Sequence, residues 1–358
     1  MKTKHTLFVK VNDYYADLVD HLPEAQEMIS MTCLAFEDGS WGQRMADGLI
    51  ERAKAGVQVR LMVDELGQIT DDPKHFMTSY KILNYMRENG VQVDVFHPRK
   101  EGLSIRNRLH CKFCAIDSET LFIGGSNVGD YYTTWSDTNI RVEGALGQTM
   151  HQLYDELKSC SCKETSITPT TGKELEWVGD DRLQLNAPGS RLEIRKALLD
   201  LILNARKSIH IRTWYFLPDE DILNALCSQA EKGVKVHVLI SDRTRIRPVD
   251  LANNIHIRKL VNAGGLVYRY KDTYMHAKAA WNEQGTSLVG SANLDPHSMG
   301  INFECCLQIE DRNLAWNLQM AFELDLRKCE LQTNDTLCHQ TLSVKFLSQT
   351  CNLVSPWL

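Results

Sequence analysis

Two histidines that recur with the same neighbours are the residues of this sequence best suited to chemistry. Each is followed by a lysine two positions later and, after a short Gly/Ser turn, by an asparagine 17 positions later. The two copies comprise His110, Lys112, Ser126 and Asn127, and His276, Lys278, Ser291 and Asn293. Two unrelated core histidines rarely agree in neighbours and spacing, so the pattern indicates one function built from two repeated halves.

Acidic residues accompany both copies. Asp117 and Glu283 each lie seven residues after their histidine. Further along the chain, Asp137 and Glu304 follow the histidines by 27 and 28 residues, each near the start of a strand-like segment. A carboxylate on one ring nitrogen of a histidine fixes the tautomer and leaves the other nitrogen for chemistry. We therefore include all four acids among the candidate catalytic residues.

This set of side chains suits a phosphodiester substrate. A neutral imidazole can attack phosphorus and form a covalent intermediate, and a second, protonated imidazole can give a proton to the departing alkoxide. Lysines and asparagines neutralise and hydrogen-bond the oxygens on which charge builds up. We predict a phosphoryl-transfer enzyme with His110 as nucleophile and His276 as general acid, and with no metal ion or other cofactor.

The elements that must position these residues are also repeated. Residues 53–64 (AKAGVQVRLMVD) and 230–241 (AEKGVKVHVLIS) each end a helix at a glycine and enter a β-rich strand. Residues 86–96 and 260–270 repeat the pattern, and each His-x-Lys pair is predicted on a following strand with both side chains on one face. Each half then runs β-α-β-α-β-β, which predicts an α/β fold with mixed sheets flanked by helices.

A stretch rich in Ser, Thr, Gly and Pro at about residues 160–180 separates the two halves. We predict a first half over residues 1–165 and a second over residues 166–358, related by a pseudo-twofold axis that brings both motifs into one shared cleft. The C-terminal segment TLSVKFLSQTCNLVSPWL has apolar residues at roughly helical spacing. It is predicted either to pack on its own half or to lie on a bilayer.

Composition excludes several classes of protein. The chain has 358 residues and a net charge of −6, whereas nucleic-acid binders usually carry a basic excess. No stretch approaches the roughly 20 apolar residues of a membrane-spanning helix. Eleven cysteines, an odd number without framework spacing, indicate reduced thiols rather than a disulfide scaffold.

At the motif residues the sequence resembles the phospholipase D superfamily, whose signature is His-x-Lys-x4-Asp, a small Gly/Ser turn and Asn, once in each half. The first copy, HCKFCAID, matches fully, whereas the second, HAKAAWNE, has Glu283 in place of Asp, which points to a structural role for that acid. Flanking segments such as WSDTNIRVEG (135–144) and GSANLDPHSMGINFE (290–304) are similar to bacterial cardiolipin synthases. The chain looks most like a short form without N-terminal transmembrane helices.

The resemblance implies a metal-independent phosphatidyltransferase that forms cardiolipin from phosphatidylglycerol through a phosphohistidine. A hydrolase of the same chemistry, with water as acceptor, is the alternative, and a nuclease is disfavoured by the acidic net charge. The expected partners are an anionic phospholipid and a membrane surface, with no nucleic acid. The expected location is cytoplasmic, peripherally attached to the inner face of the cell membrane.

A basic segment precedes the first motif. HPRKEGLSIRNRLH, residues 97–110, contains Arg99, Lys100, Arg106 and Arg108, and the matching connection in the second half is shorter. We predict either a loop that grips a phosphate or anionic headgroup, with Arg106 and Arg108 in contact with substrate, or a solvated basic loop. The turn serines Ser126 and Ser291 are also assigned to substrate binding.

Overall fold

The computed structural model describes residues 3–70, 76–97, 105–161, 177–189 and 191–338. The described part of the first half contains the strands β1 (Lys4–Lys10), β2 (Met28–Cys33), β3 (Gln58–Asp64), β4 (Gln92–Phe96), β5 (Phe113–Ile116), β6 (Thr120–Gly124) and β7 (Ser136–Glu143). Its helices are α1 (Val11–His21), α2 (Ser40–Lys54), α3 (Glu65–Thr70), α4 (Phe76–Glu88) and α5 (Gly147–Ser161), with 3-10 turns at Leu22–Glu24 and Asp130–Thr134.

The described part of the second half contains the strands β8 (Asp181–Ala187), β9 (Arg191–Leu192), β10 (Ser208–Thr213), β11 (Lys235–Ser241), β12 (Leu266–Tyr270), β13 (Ala279–Asn282), β14 (Thr286–Gly290), β15 (Glu304–Glu310) and β16 (Cys329–Gln332). Its helices are α6 (Glu193–Asn204), α7 (Glu220–Glu231), α8 (Arg247–Asn262), α9 (Pro296–Gly300), α10 (Arg312–Leu326) and α11 (Asn334–Cys338).

The two sheets have the same strand order. The first runs β4-β3-β2-β5-β6-β7-β1, and the second runs β12-β11-β10-β13-β14-β15-β8, with β16 and β9 added at its two edges. In each sheet the β-α-β strands pair in parallel and the remaining strands of the shared pattern pair antiparallel. The prediction of two similar α/β halves with mixed sheets is therefore confirmed.

Glycine ends the first crossover helix in both halves, as the sequence predicted. Gly56 and Gly233 follow α2 and α7 with φ angles of 92° and 89°. This left-handed conformation is accessible to glycine without the steric cost of a Cβ atom, and it turns the chain directly into β3 and β11.

Apolar packing joins the two halves. One buried cluster lies between the first sheet and its outer helices and another between the second sheet and its outer helices, while a third contains strands from both halves together with α5 and α10. Phe96 of the first half packs edge-on against Phe303 of the second within this shared cluster. The predicted boundary at 165/166 and the C-terminal segment after residue 338 lie outside the described residues.

Candidate active site

Each histidine lies on an extended segment that crosses to the opposite half. The backbone N–H of His110 donates to the carbonyl of Phe303 at 2.9 Å, and that of His276 donates to the carbonyl of Ser136 at 2.7 Å. The preceding residues, Leu109 and Met275, form isolated parallel bridges with the other half. The prediction that the histidines lie within a strand is therefore wrong, because both precede strands β5 and β13 and are held by inter-half backbone bonds.

The acids cross between the halves as well. His110 Nδ1 lies 2.8 Å from the carboxylate of Glu304, and His276 Nδ1 lies 2.8 Å from that of Asp137. Each histidine is thus held by the acid that follows the other motif in sequence. With Nδ1 engaged in both rings, Nε2 is the nitrogen left for a substrate.

The carboxylates of Glu304 and Asp137 are held in their charged form. Burial alone would raise the pKa of each acid, but the facing imidazole and the nearby lysines outweigh it and lower both pKa values. The turn serines take part in this arrangement: Ser126 Oγ donates to Asp137 at 3.0 Å and Ser291 Oγ donates to Glu304 at 2.5 Å. Both hydroxyls therefore hold the acids, and the assignment of the two serines to substrate binding stays a prediction.

The two lysines of the motifs are almost completely buried. Lys112 and Lys278 are 2% and 3% exposed, and the Nζ of each donates to the backbone carbonyl of the histidine two residues before it. Burial lowers the pKa of Lys278 to about 7. A positive charge at this depth is costly without an anion, so the pair is suited to accept the negative oxygens of a phosphoryl group.

The two histidines share one electrostatic environment. Burial, reinforced by the charge of Lys278, lowers the pKa of His276 to about 4, and Lys112 contributes to this lowering. Burial also lowers the pKa of His110 against the opposing pull of Glu304, and Lys278 of the other half contributes. Each lysine therefore acts on both imidazoles, as expected for one site formed by both motifs.

Access to the two imidazoles differs. The side chain of His276 is 5% exposed and lies under Trp135 and Trp214, with ring centroids 5.0 and 4.6 Å away. The side chain of His110 is 12% exposed and lines a cavity of about 430 Å³, which we call the His110 cavity. Trp214, which packs against His276, also lines this cavity. The cavity therefore borders His110 directly and is separated from His276 by the Trp214 ring.

The first acids of the two signatures lie away from the histidines. Asp117 follows β5 at the end opposite to His110, and its carboxylate accepts the backbone N–H groups of residues 26, 27 and 28. Glu283 follows β13 in the same way and accepts the N–H groups of residues 206 and 208. The prediction of a catalytic part for both is corrected: each carboxylate ties down the segment that enters β2 or β10.

The two asparagines do not occupy equivalent surroundings. Asn127 Oδ1 accepts the backbone N–H of Leu34 at 3.2 Å. Asn293 lines the His110 cavity, and its Oδ1 has no hydrogen-bond partner among the described residues. Asn293 thus faces the space where a substrate would lie, whereas Asn127 supports the loop beside it.

The basic segment before the first motif is only partly available to a ligand. Arg108 donates through Nε and NH2 to the buried carboxylate of Asp64, at 2.8 and 2.6 Å. This ion pair fixes the segment that leads to His110, and the contact of Arg108 with substrate stays a prediction. Arg106 lies 3.4 Å from the Nε2 of His297, a residue that lines the His110 cavity. Arg99 and Lys100 lie outside the described residues.

Sequence reasoning missed several residues that line the His110 cavity. Asp295, Ser298 and Asn302 belong to α9 or its flanks, and Arg245 comes from the segment before α8. The first three lie inside GSANLDPHSMGINFE, the segment that carries the family resemblance. Their position near His110 could not be read from the sequence, because these three residues belong to the second half and His110 belongs to the first.

Two further observations concern the part of the chain that the structure describes. Within it, no group of three or more His, Cys, Asp or Glu side chains is arranged to hold a metal ion. Within the same residues, no helix combines the length and the apolar character needed to cross a bilayer.

The fold and the site define a two-half α/β protein with a paired-histidine centre suited to phosphoryl transfer. A family model described as "Cardiolipin synthase, PLD-like domain" matches residues 18–160 and 198–326. The major cardiolipin synthase of Bacillus subtilis is 30% identical over 361 residues, covering 97% of this chain and 73% of that protein. The chain therefore belongs to the phospholipase D-like family of cardiolipin synthases.

Other relatives agree with this assignment. Cardiolipin synthase 1 of Staphylococcus epidermidis is 29% identical over 373 residues, covering 99% of this chain and 74% of that protein. The crystal structure of phosphatidylserine synthase from Haemophilus influenzae matches with a TM-score of 0.76 at 15% identity, covering 99% of this chain and 95% of that chain. At this low identity the structural match supports the fold.

Proposed function

We propose that this protein is a phosphatidyltransferase that forms cardiolipin from two molecules of phosphatidylglycerol through a phosphohistidine. The observation that carries the proposal is the crossed arrangement of the site. Two imidazoles have Nδ1 bound by buried carboxylates, and two buried lysines lie beside them. Family membership supports the lipid substrate, since the relatives from Bacillus subtilis and Staphylococcus epidermidis are cardiolipin synthases.

In the first step, Nε2 of His110 attacks phosphorus and the bond to the glycerol oxygen breaks. His276 gives a proton to the departing oxygen, so glycerol leaves and the phosphatidyl group stays on His110. In the second step, His276 takes the proton of an acceptor hydroxyl, whose oxygen attacks phosphorus while the bond to His110 breaks. The buried lysines stabilise the charge on the phosphoryl oxygens in both steps.

The assignment of His110 as nucleophile is supported by access. Its side chain faces the His110 cavity, whereas His276 lies under two tryptophan rings. The free site holds His276 neutral at pH 7, because its pKa is about 4. A bound phosphodiester anion would offset the charge of Lys278 and raise the pKa of His276, so substrate binding prepares the general acid.

Incubation with phosphatidylglycerol vesicles, followed by mass spectrometry of the products, tests the proposal. Cardiolipin and glycerol in equal amounts are the expected products. Phosphatidic acid without cardiolipin would instead identify a hydrolase, the alternative in which water takes the phosphatidyl group. Turnover of DNA or RNA in place of lipid would contradict a lipid substrate altogether.

The proposed site of action is the cytoplasmic face of the cell membrane, where the protein attaches peripherally. An enzyme that joins two bilayer lipids must reach their headgroups, and anionic headgroups attract basic side chains at short range. High salt or alkaline carbonate is expected to release the protein from a membrane fraction. Release by detergent alone would contradict peripheral attachment.

A further inference from the structure

Arg212 is a buried cation at the junction of the two halves. It lies in β10 of the second half and is 0% exposed. Its Nη1 donates to the hydroxyl of Thr138 at 3.1 Å, and its Nη2 donates to that of Ser136 at 3.1 Å. Nη2 also donates to the carboxylate of Asp325, in α10, at 2.5 Å. One side chain therefore joins β10 and α10 of the second half to β7 of the first.

The two hydroxyls stand on either side of Asp137, the acid that holds His276. Successive side chains of a strand point to opposite faces, so Ser136 and Thr138 share one face of β7 and Asp137 points from the other. Arg212 binds the first face, and on the second the Asp137 carboxylate lies 2.8 Å from His276 Nδ1. The guanidinium therefore fixes the backbone from which this carboxylate projects.

Arg212 also contacts the segment that carries His276. Met275, the preceding residue, forms a parallel bridge with Ser136, and the backbone N–H of His276 donates to the Ser136 carbonyl at 2.7 Å. The Nη2 of Arg212 lies 3.8 Å from the Sδ of Met275. Both sides of the bridge are thus in contact with the same guanidinium, and the imidazole and its acid are held on one support.

The position equivalent to Arg212 in the first half is occupied by Thr32. Arg212 pairs across the sheet with the residue three positions after His276, and Thr32 pairs with the residue three positions after His110. The hydroxyl of Thr32 donates to a backbone carbonyl of its own half at 3.1 Å. The first half therefore has no guanidinium at this place.

The residues beside the two acids differ in the same sense. Glu304 is flanked by Phe303 and Cys305, which both belong to the apolar cluster shared by the halves. Asp137 is flanked instead by the two hydroxyls that bind Arg212. The contacts of Arg212 are therefore directed at the Asp137 side of the site.

Stability alone does not account for a cation at this place. The desolvation of a buried ion pair offsets much of its attraction, so apolar residues of similar volume stabilise a protein at least as well. A planar guanidinium instead fixes several acceptors in one geometry, because its donors form a rigid fork. Two hydroxyls and one carboxylate are held in this way by Arg212.

We propose that Arg212 is a positioning residue that sets the Asp137 carboxylate against His276 and so keeps that imidazole in one tautomer. The inference goes beyond the proposed function, and it rests on that function where it assigns the effect to the general acid. Arg212 acts through β7 and does not touch the substrate. The pair formed by His110 and Glu304 should be independent of it.

Two double variants test the assignment. Ser136→Ala/Thr138→Val removes the two hydroxyls and keeps the ion pair of Arg212 with Asp325. Arg212→Met/Asp325→Asn removes the ion pair as a unit, so that neither charge is left buried alone. Both variants should disturb His276 in the same way.

The first readout is the ¹⁵N NMR spectrum of the histidines at pH 7, which shows which ring nitrogen carries the proton. In the wild type both active-site rings should be protonated at Nδ1, because a carboxylate accepts there. In both variants His276 is expected to become a mixture of tautomers while His110 stays unchanged. This measurement needs no turnover, so it tests the positioning even if the wild type transfers no lipid and the proposed function is wrong.

The second readout is the rate of the first turnover with two leaving groups. Phosphatidylglycerol releases glycerol, which needs a general acid, and the same lipid with a nitrophenyl headgroup releases nitrophenol, which does not. Glycerol release should slow by roughly 10- to 100-fold in both variants, since a misplacement of about 1 Å costs on that order. Nitrophenol release should keep the wild-type rate. Loss of both rates together with the tautomer change in His276 would exchange the roles of the two histidines and leave Arg212 as the positioning residue.

Arg60→Met/Asp155→Asn is the matched control. Arg60 is a buried arginine that also donates to a helix carboxylate, that of Asp155, and to a serine hydroxyl, that of Ser30, but all of these residues belong to the first half. This variant should leave the tautomers and both release rates unchanged. If Ser136→Ala/Thr138→Val also leaves them unchanged, or if His110 and His276 change together, Arg212 serves the fold alone and the proposal is overturned.

Discussion

The crossed acids give the sharpest test of the site. Glu304 holds His110 and Asp137 holds His276, each at 2.8 Å and each buried. Replacing either carboxylate with the isosteric amide removes its negative charge. The amide can donate as well as accept, so it no longer fixes the tautomer of the facing imidazole. In a triad with the same His–carboxylate contact this change costs about 10⁴-fold in kcat, so we expect roughly 10²- to 10⁴-fold, or about 3–5 kcal/mol.

The crossing predicts which variants resemble each other. Glu304→Gln should behave like His110→Ala, and Asp137→Asn should behave like His276→Ala. A nitrophenyl phosphodiester separates the two classes, because its leaving group departs without a general acid. With His110 as nucleophile, Asp137→Asn should still release one equivalent of nitrophenol and accumulate phosphohistidine, whereas Glu304→Gln should show neither.

Rapid-quench kinetics and peptide mass spectrometry of the quenched protein measure both quantities. Glu143→Gln and Glu310→Gln are suitable controls, since they lie at the far ends of β7 and β15, the strands that carry the two acids. Their burst and turnover should match the wild type. If Glu304→Gln resembles His276→Ala instead, the acids serve the histidines of their own halves and the crossed arrangement is refuted.

Four further predictions concern the electrostatics of the site, two carboxylates outside it and metal dependence. In the free protein, NMR should show His276 titrating near pH 4, because burial and the charge of Lys278 lower its pKa. Either inorganic phosphate or Lys278→Met should raise that midpoint, and a midpoint near 6.5 in the free protein would contradict the site electrostatics. Asp117→Ala should lower the free energy of unfolding in urea by about 2–3 kcal/mol, since three backbone N–H groups lose their acceptor, while burst formation by the folded protein persists. Arg212 is fully buried and donates to the Asp325 carboxylate at 2.5 Å. Arg212→Met should lower the free energy of unfolding by about 3 kcal/mol because Asp325 loses this partner, and adding Asp325→Asn should restore part of that loss; equal stability of the single and double variants would show that the pair is not coupled. EDTA should leave turnover unchanged, and activity lost in EDTA but restored by a divalent ion would show that the lysines do not suffice.

The repeated pattern of residues was enough to predict the fold class and the two histidine motifs. Glycine stops such as Gly56 and Gly233 reflect local backbone sterics, which act over a few residues and are readable from sequence. Because the sequence repeats, both halves have the same strand order, and each motif lies at the same place in that order. These features depend on short sequence separations or on duplication.

The roles of individual charged residues could not be predicted in the same way. Arg108 looked like a substrate contact, but it is paired with Asp64, a buried acid 44 residues earlier. Asp117 and Asp137 both follow His110 in sequence, yet of these two acids Asp137 alone contacts an imidazole. Such roles are set by tertiary contacts, which the spacing along one half does not encode.

The crossing of acids means that the site needs residues from both halves. The histidine of each half is oriented by a carboxylate of the other and its backbone is held by the other half, so neither half contains a complete catalytic unit. The two halves nevertheless differ around this shared centre. Asn127 accepts a backbone N–H of a neighbouring loop whereas Asn293 lines the His110 cavity, so the two sides of the site present different surroundings to a ligand.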